Sequence, residues 1–210
     1  MLPLGGGAWT IRLGDVVSRE NHARVTALAG RLADAAIPGV LEVLPAYATV
    51  TVFFDPARVN PADIRSRIEA TLALPRSEGA EHPAGRLVEI PVRYDGPDLH
   101  EVADRTGLAE AEVVARHSTP EYLVYLLGFV PGFAYLGDLD PALVLPRRAA
   151  PRTRVPAGSV AIAGAQTGVY PFASPGGWHL LGSTTLRLFD PARTPPALLS
   201  PGDRVRFTPV

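Results

Sequence analysis

The sequence predicts an α+β protein with two domains, a ferredoxin-like domain over residues 1–82 and a small β-barrel or sandwich over residues 86–210. In the first part, strand and helix patterns follow the order β-α-β-β-α, with a possible last strand at Leu87–Val92, which is the order of a split βαβ unit. From Tyr122 onward, short strand-like runs alternate with Gly and Pro turns. The chain has 22 prolines and 20 glycines, too many for a helical bundle.

The elements of the first domain follow from local patterns. Trp9–Leu13 alternates in polarity, as a short strand does. Ser18 is a suitable N-cap for a helix whose apolar residues recur at helical spacing until Pro38 and Gly39 end it. The remaining predicted elements are strands at Val40–Leu44 and Thr49–Phe54 and a helix that begins at Asn60-Pro61.

The boundary between the domains is predicted at residues 75–85, which are polar, rich in proline and glycine, and without periodicity. Two short helices are expected after it, near residues 99–106 and 109–116, and then a strand at Tyr122–Leu127. The later predicted strands are Val160–Ala163, Val169–Phe172, His179–Leu181, Leu186–Phe189 and Arg204–Thr208.

Composition excludes several classes of function. The net charge of −1 provides no overall field for nucleic acid or an anionic membrane, and no apolar run is long enough to span a bilayer. The chain has no cysteine and its N-terminus lacks a signal-peptide pattern, so we expect a cytoplasmic protein. All 20 basic residues are arginine, which excludes a Walker A lysine and Schiff-base chemistry in this chain.

The segment from Tyr122 to Leu181 contains the candidate site residues. Four arginines, Arg147, Arg148, Arg152 and Arg154, fall within eight residues, in a segment that prolines restrict. Guanidinium groups bind carboxylate and phosphate oxygens in a bidentate manner, so the group is a candidate anion site. The alternative is a solvated loop.

Aromatic and polar side chains of the same segment are further candidates. Phe129, Phe133, Tyr135 and Trp178 either line an apolar cleft or partner surface, or belong to the core. Gln166 and Thr167 lie between two glycines and either donate hydrogen bonds to a ligand or form a polar hairpin tip. His117 and His179 are candidate acid–base groups or structural histidines.

Metal binding is not predicted. The five histidines are scattered, and the acidic pair Asp138 and Asp140 is typical of a turn, although it has the oxygen ligands that Mg²⁺ prefers.

Long segments of the second domain resemble the family of 5-oxoprolinase B subunits, also known as sporulation-kinase inhibitors or allophanate hydrolase subunit 1. The resemblance covers residues 92–207, and one small departure is Ala165, where the family has glycine. The segments that carry it are Val92–Leu99, His117, Gly128–Gly137, Pro146–Arg148, Pro151–Val160, Ala163–Pro171, Ser174–Trp178 and Pro201–Val205.

The resemblance implies a C-terminal cyclophilin-like β-barrel and a heteromeric enzyme, a 5-oxoprolinase with three kinds of protein. Its C subunit has a related barrel, and a third protein, the A subunit, completes the ATP-dependent opening of 5-oxoproline to glutamate, so the cofactor expected for the complex is ATP. We expect Arg147, Arg148, Arg152 and Arg154 to lie at the mouth of the barrel cleft, facing the C subunit, where they hold an anionic substrate or intermediate. Gln166, Thr167 and His179 are further candidates for binding the substrate or anion. Two alternatives stay open: an inhibitor of a sensor histidine kinase, and the carboxyltransferase component of a urea or amide carboxylase.

Overall fold

The computed structural model describes residues 1–74 and 85–210 and divides the chain into two units with separate hydrophobic cores. The units are Met1–Ala84 and Gly85–Val210. Apart from Gly85, the predicted boundary segment, residues 75–85, lies outside the described residues.

The first unit packs two helices on an antiparallel sheet. Both helices begin at the predicted caps, because the side chain of Ser18 accepts the Asn21 N–H at 3.1 Å and that of Asn60 accepts the Ala62 N–H at 2.9 Å. The elements are β1 (Leu2–Pro3), β2 (Ala8–Arg12), α1 (Arg19–Asp34), β3 (Val40–Pro45), β4 (Thr49–Phe54) and α2 (Pro61–Ala73). The strand order is β1-β2-β4-β3.

The possible last strand of the split βαβ pattern, Leu87–Val92, belongs to the second unit. Leu87–Val92 pairs with a strand of the second unit, so it does not complete a ferredoxin-like sheet here. The short strand β1 forms the edge of the first unit's sheet, next to β2. The ferredoxin-like description of the first unit is therefore not confirmed.

The second unit is a nearly closed, barrel-like sheet. Its helices are α3 (Leu99–Thr106) and α4 (Glu110–Ser118). The strands are β5 (Leu87–Val92), β6 (Tyr122–Leu127), β7 (Ala134–Gly137), β8 (Arg152–Val155), β9 (Ser159–Ala163), β10 (Gln166–Val169), β11 (Ser174–Gly176), β12 (His179–Ser183) and β13 (Arg204–Pro209). Seven of them form the sheet in the order β12-β9-β10-β7-β6-β13-β5, and an isolated bridge between Arg93 and Ser183 joins its two ends.

Strand alternation gives this unit two apolar clusters. Val160 and Ile162 of β9 face the larger core with α3 and α4, whereas Ala161 and Ala163 face a smaller cluster built around Phe133. The separate two-stranded pair β8–β11 contributes Val155 to that smaller cluster.

Two strand predictions in this unit were wrong in detail. Leu186–Phe189 is not a strand: Leu186 and Leu188 pack against the core, but the backbone forms only an isolated bridge between Phe189 and Ala197. In this segment the alternating apolar residues belong to a loop whose leucines pack against the core. The strand predicted at Val169–Phe172 is β10, which ends at Val169, two residues before Pro171, a residue without an N–H to donate.

Candidate functional site

The four arginines of the predicted anion site have two different environments. Arg148 and Arg152 are partly buried, with side chains 28% and 26% exposed, whereas Arg147 and Arg154 are exposed. Arg152 and Arg154 are two apart on β8 and therefore project from the same face of the strand. Over residues 1–74 and 85–210, Arg147 and Arg154 form no side-chain hydrogen bond or ion pair.

Asp98, the residue that precedes α3, organises the partly buried pair. Its Oδ1 accepts from Arg148 Nη1 at 2.9 Å and from Arg152 Nη2 at 2.6 Å, and its Oδ2 accepts the Leu180 N–H at 2.7 Å. The side chain is only 4% exposed, so one buried carboxylate connects α3, β8, β12 and the loop that contains Arg148. Sequence reasoning missed this residue, because nothing local indicates partners about fifty positions later.

Glu101 completes this arginine–carboxylate cluster. Arg148 Nη1 also donates to Glu101 Oε2 at 2.5 Å, and this hydrogen bond holds the pKa of Glu101 below its ordinary value. Two guanidinium groups therefore face two carboxylates, Asp98 and Glu101, and their charges balance.

His179 lies against the same cluster and is fully buried. Its Nε2 is 2.9 Å from the carbonyl oxygen of Pro146, and because a carbonyl only accepts, Nε2 carries the hydrogen. Its Nδ1 lies 3.9 Å from Glu101 Oε1, beyond hydrogen-bond distance.

The cluster has unused polar atoms. Across the described part of the chain, the buried side-chain nitrogens and oxygens without a hydrogen-bond partner include Arg148 Nε, Arg152 Nη1 and His179 Nδ1. Buried polar groups are normally paired, so three such atoms in one cluster indicate a place for water or a ligand group.

A pocket of about 260 Å³ adjoins the cluster, and we call it the seam pocket because it lies beside the bridge that joins the ends of the sheet. Arg152 and Arg154 of β8 line one part of it. Asp95 and Gly96 and the β12 residues Gly182 and Ser183 line another. Arg147, Arg148 and His179 are not among its lining residues.

Thr167 and His117 lie in the core. Thr167 Oγ1 donates to the Ala161 carbonyl at 3.1 Å and is 2.7 Å from His117 Nε2, which must therefore donate to it. Tyr94 then donates to His117 Nδ1 at 2.7 Å. Complete burial lowers the pKa of His117 to about 3, so the ring is neutral. Gln166, which opens β10 beside this chain of hydrogen bonds, is partly exposed.

The predicted aromatic cleft is mainly a packed cluster. Phe133 and Trp178 are buried and meet edge to face with centroids 5.5 Å apart, and Tyr135 packs on both rings. Phe129 differs, since it is 59% exposed on a turn with φ of 68° and touches only the edge of this cluster through Phe133.

The structure gives no support for a metal centre or a membrane span in the residues it describes. Asp138 accepts from Tyr125, whereas Asp140 caps a 3-10 turn at Ala142 and pairs with Arg116. Within the described ranges, no group of three or more His, Cys, Asp or Glu residues is placed to hold a metal ion, and no helix combines the length and apolarity needed to cross a membrane.

Comparison with known proteins gives two relatives over nearly the whole chain. The 5-oxoprolinase B subunit of Escherichia coli O157:H7 is 48% identical over 209 residues, which cover 98% of this chain and 94% of that protein. The 5-oxoprolinase B subunit of Bacillus subtilis strain 168 is 43% identical over 215 residues, covering 97% of this chain and 90% of that protein.

Solved structures have the same fold. TTHA0988 is 47% identical with a TM-score of 0.85 over 97% of this chain, and the chain spans only 40% of the length of that protein. The K. lactis urea amidolyase is 20% identical with a TM-score of 0.75 over 97% of this chain and 14% of that protein, a likeness of fold alone. Residues 1–199 match the family described as carboxyltransferase domain, subdomain C and D, and the chain belongs to that family.

Proposed function

We propose that this chain is the B subunit of an ATP-dependent 5-oxoprolinase, which opens the lactam of 5-oxoproline to glutamate together with the A and C subunits. The observation that carries the proposal is the 43–48% identity to two proteins of that name along at least 97% of the chain. Identity at this level over both units supports a shared role in a complex.

The chemistry of the second unit fits this reaction. The substrate carries a carboxylate, and activation of its lactam oxygen adds further negative charge. Arg154, which has no protein anion to neutralise it among the described residues, and Arg152, which Asp98 holds in place, supply cations at the seam pocket. Arg148 and His179 lie in or against the adjoining arginine–carboxylate cluster and help to hold Arg152 in place. Gln166 and Arg147 remain proposed anion-binding residues outside the seam pocket.

Thr167 has a different role in this proposal. Its hydroxyl already bonds to Ala161 and His117 inside the core, so it supports the sheet and does not contact the ligand.

The partner proteins, the A and C subunits, provide what this chain lacks. The sequence has no lysine, so it has no lysine of the kind that binds ATP phosphates in a Walker A loop. We assign ATP to the assembled complex and expect this chain to be inactive alone, in the cytoplasm, where its partners bind it. A cyclophilin-like barrel for the second unit and a ferredoxin-like βαββα fold for the first are part of the same proposal.

Reconstitution tests the assignment. The purified chain, mixed with the A and C subunits, is expected to convert 5-oxoproline and ATP to glutamate and ADP, measured by chromatography of both products. The mixture without this chain is expected to form no glutamate. Equal glutamate formation with and without the chain would contradict the proposal.

The family match supports a second candidate, transfer of a carboxyl group to a small amide. That reaction needs carboxybiotin from a biotin carboxylase. A product that is carboxylated, and that forms only when a biotin carboxylase and a biotin carrier are added, would favour this candidate over lactam opening.

A further inference from the structure

The seam pocket presents side chains of opposite charge. Arg152 and Arg154 come from β8, and Asp95 comes from the segment that closes the sheet. The carboxylate of Asp95 is half exposed, accepts from Ser183 Oγ at 3.2 Å and forms an ion pair with Arg93, whose Nε is 3.5 Å away. No ion pair joins Arg154 to Asp95 in the part of the chain that the structure describes, so the pocket keeps a free cation and an exposed carboxylate.

We propose that the seam pocket binds a small carboxylate that also carries an N–H donor next to it, with the carboxylate on Arg154 and Arg152 and the N–H on Asp95. The proposal rests on the proposed function in one respect, since 5-oxoproline belongs to this chemical class. The new elements are the pocket itself and Asp95 as the residue that recognises the N–H.

The guanidinium groups have free donors for a carboxylate. Arg152 directs Nη2 to Asp98 at 2.6 Å, and its unpartnered Nη1 is buried inside the cluster, so Arg152 contributes mainly its charge to the pocket and Arg154 contributes the free donors. Arg154 projects from the same face of β8 and makes no bond to another described side chain. One guanidinium fork binds both oxygens of a carboxylate, a geometry that lysine does not provide, and Arg152 adds a second positive charge to the lining of the pocket.

Asp95 sets the specificity. An anion without a donor is repelled by this carboxylate, and a cation without an anion is repelled by the arginines. A molecule with both a carboxylate and an N–H donor binds the arginines and Asp95 at the same time. The pocket therefore selects it over a molecule that has only one of these groups.

The size of the pocket limits the ligand. A volume of about 260 Å³ lies just below the roughly 300–1,000 Å³ typical of small-molecule pockets and holds on the order of ten non-hydrogen atoms. This volume matches a small molecule better than a nucleotide. Gly96 and Gly182 line the pocket with backbone atoms and no side chain. Gly182 has no space for one, since a Cβ there would lie 2.3 Å from the Arg93 carbonyl oxygen.

Binding of small-molecule probes to the purified chain tests the proposal. NMR chemical shifts of the chain, recorded without the partner proteins, measure this binding. The probes are 5-oxoproline, glutamate, cyclopentanecarboxylate, which lacks the N–H, and 2-pyrrolidinone, which lacks the carboxylate. We expect 5-oxoproline to bind at least about tenfold more tightly than either fragment. Comparison with glutamate shows whether the donor is a lactam N–H or an ammonium group.

Single substitutions distinguish the contribution of Arg154 from that of Asp95. Arg154→Gln should weaken binding of all three carboxylate probes by about tenfold or more, because it removes a charge-assisted hydrogen bond. Asp95→Asn should weaken 5-oxoproline and, by removing repulsion, leave cyclopentanecarboxylate unchanged or bound more tightly. Arg187→Gln is the matched control, since Arg187 is 74% exposed, pairs with Asp190 and does not line the pocket.

Each outcome separates this inference from the function proposed above. If the wild-type chain does not bind 5-oxoproline or glutamate, or if Asp95→Asn weakens all carboxylates equally, the pocket proposal is wrong. If the complex forms glutamate normally with both variants, the pocket is not the substrate site, and the assignment of the chain to 5-oxoprolinase stands. If the chain binds the ligand as expected but the complex never forms glutamate, that assignment fails instead.

Discussion

At the scale of single residues, Asp98 is the position on which the arginine–carboxylate cluster depends. A carboxylate that is 4% exposed loses most of its hydration, and three hydrogen bonds of 2.6–2.9 Å replace it. Without this charge, the two guanidinium groups would repel each other in a partly buried setting.

We predict that Asp98→Asn lowers the free energy of unfolding by about 3–5 kcal/mol, the cost typical of breaking a buried ion pair by removing one partner. Urea unfolding measures this change. Glu101→Gln is the matched control, because it also removes a carboxylate that contacts Arg148 but from a side chain 40% exposed, and it should cost about 1 kcal/mol or less. Equal losses for the two variants would show that burial of Asp98 does not decide the effect.

His117 gives the second unit a pH-dependent stability. The His117 ring is buried and stacks on Phe207 with centroids 4.6 Å apart. Burial disfavours the charged form of the ring and lowers its pKa from 6.5 to about 3. Between these two pH values the unfolded chain binds a proton that the folded chain does not, so folding loses stability as pH decreases.

We therefore predict that the free energy of unfolding decreases below pH 6.5 by on the order of 1 kcal/mol per pH unit from this residue, and that the contribution is fully present above pH 6.5. Urea unfolding between pH 7.5 and 4.5 measures the total slope. His117→Gln cannot titrate, and its slope should be smaller by this amount. If that variant does not fold, an NMR titration of the His117 ring in the wild type decides, and protonation near pH 6.5 in the folded chain would contradict the prediction.

At the scale of elements, a short segment without regular structure closes the sheet of the second unit. Arg93 exchanges hydrogen bonds of 2.9 and 2.8 Å with Ser183, and the N–H groups of Gly96 and Asp98 bond to the carbonyls of Leu181 and Leu180, both at 3.1 Å. This pairing requires the two backbones to approach closely at Gly182, where a Cβ has no space.

We predict that Gly182→Ala lowers the free energy of unfolding by about 1–3 kcal/mol, because overpacking against backbone forces the seam apart. Gly177→Ala is the matched control in the same unit: its Cβ would be 3.5 Å from the nearest side-chain atom, an ordinary contact, and its effect should stay within about 0.5 kcal/mol. Thermal unfolding of both variants provides the comparison. A stable Gly182→Ala protein would mean that the seam is free to widen.

Local signals account for the elements that the sequence predicted well. Helix α3 has the predicted bounds, Leu99–Thr106, because the turn before it and Gly107, with φ of 70°, after it define its ends. Strand β6 also matches, as one apolar run. Strand β7 was missed because Ala134–Gly137 is short and lies among turn-forming glycines, and only its pairing with β6 and β10 makes it a strand.

The candidate site could be predicted only in part for the same reason. The spacing of the four arginines is visible in the sequence, so they were named as a group. Their partners Asp98 and Glu101 lie about fifty positions earlier, and no pattern in the sequence links these residues or Asp95 to the arginines. Which arginines are paired and which are free is decided by the tertiary contacts of β8, α3 and β12, which leave no periodic signal.

At the scale of the whole molecule, the arginines of the second unit are suited to a small anionic ligand. It has 20 arginines and no lysine, and two of the four arginines of the predicted anion site neutralise Asp98 and Glu101. The seam pocket is smaller than a nucleotide requires. We therefore expect a division of chemistry in the proposed complex, with the nucleotide bound by another component protein.

We predict that the isolated chain neither binds nor hydrolyses ATP, whereas the mixture with the A and C subunits releases ADP only when 5-oxoproline is present. Phosphate recognition needs several free donors around a cradle large enough for the triphosphate, and the seam pocket provides mainly Arg154. Calorimetric titration with Mg²⁺-ATP and a coupled ADP assay provide the measurements. Arg154→Gln should reduce kcat/KM for 5-oxoproline in the mixture by at least about tenfold, with KM for ATP unchanged. Saturable ATP binding by the isolated chain, or an Arg154→Gln variant that changes KM for ATP alone, would place the nucleotide on this chain and contradict the division.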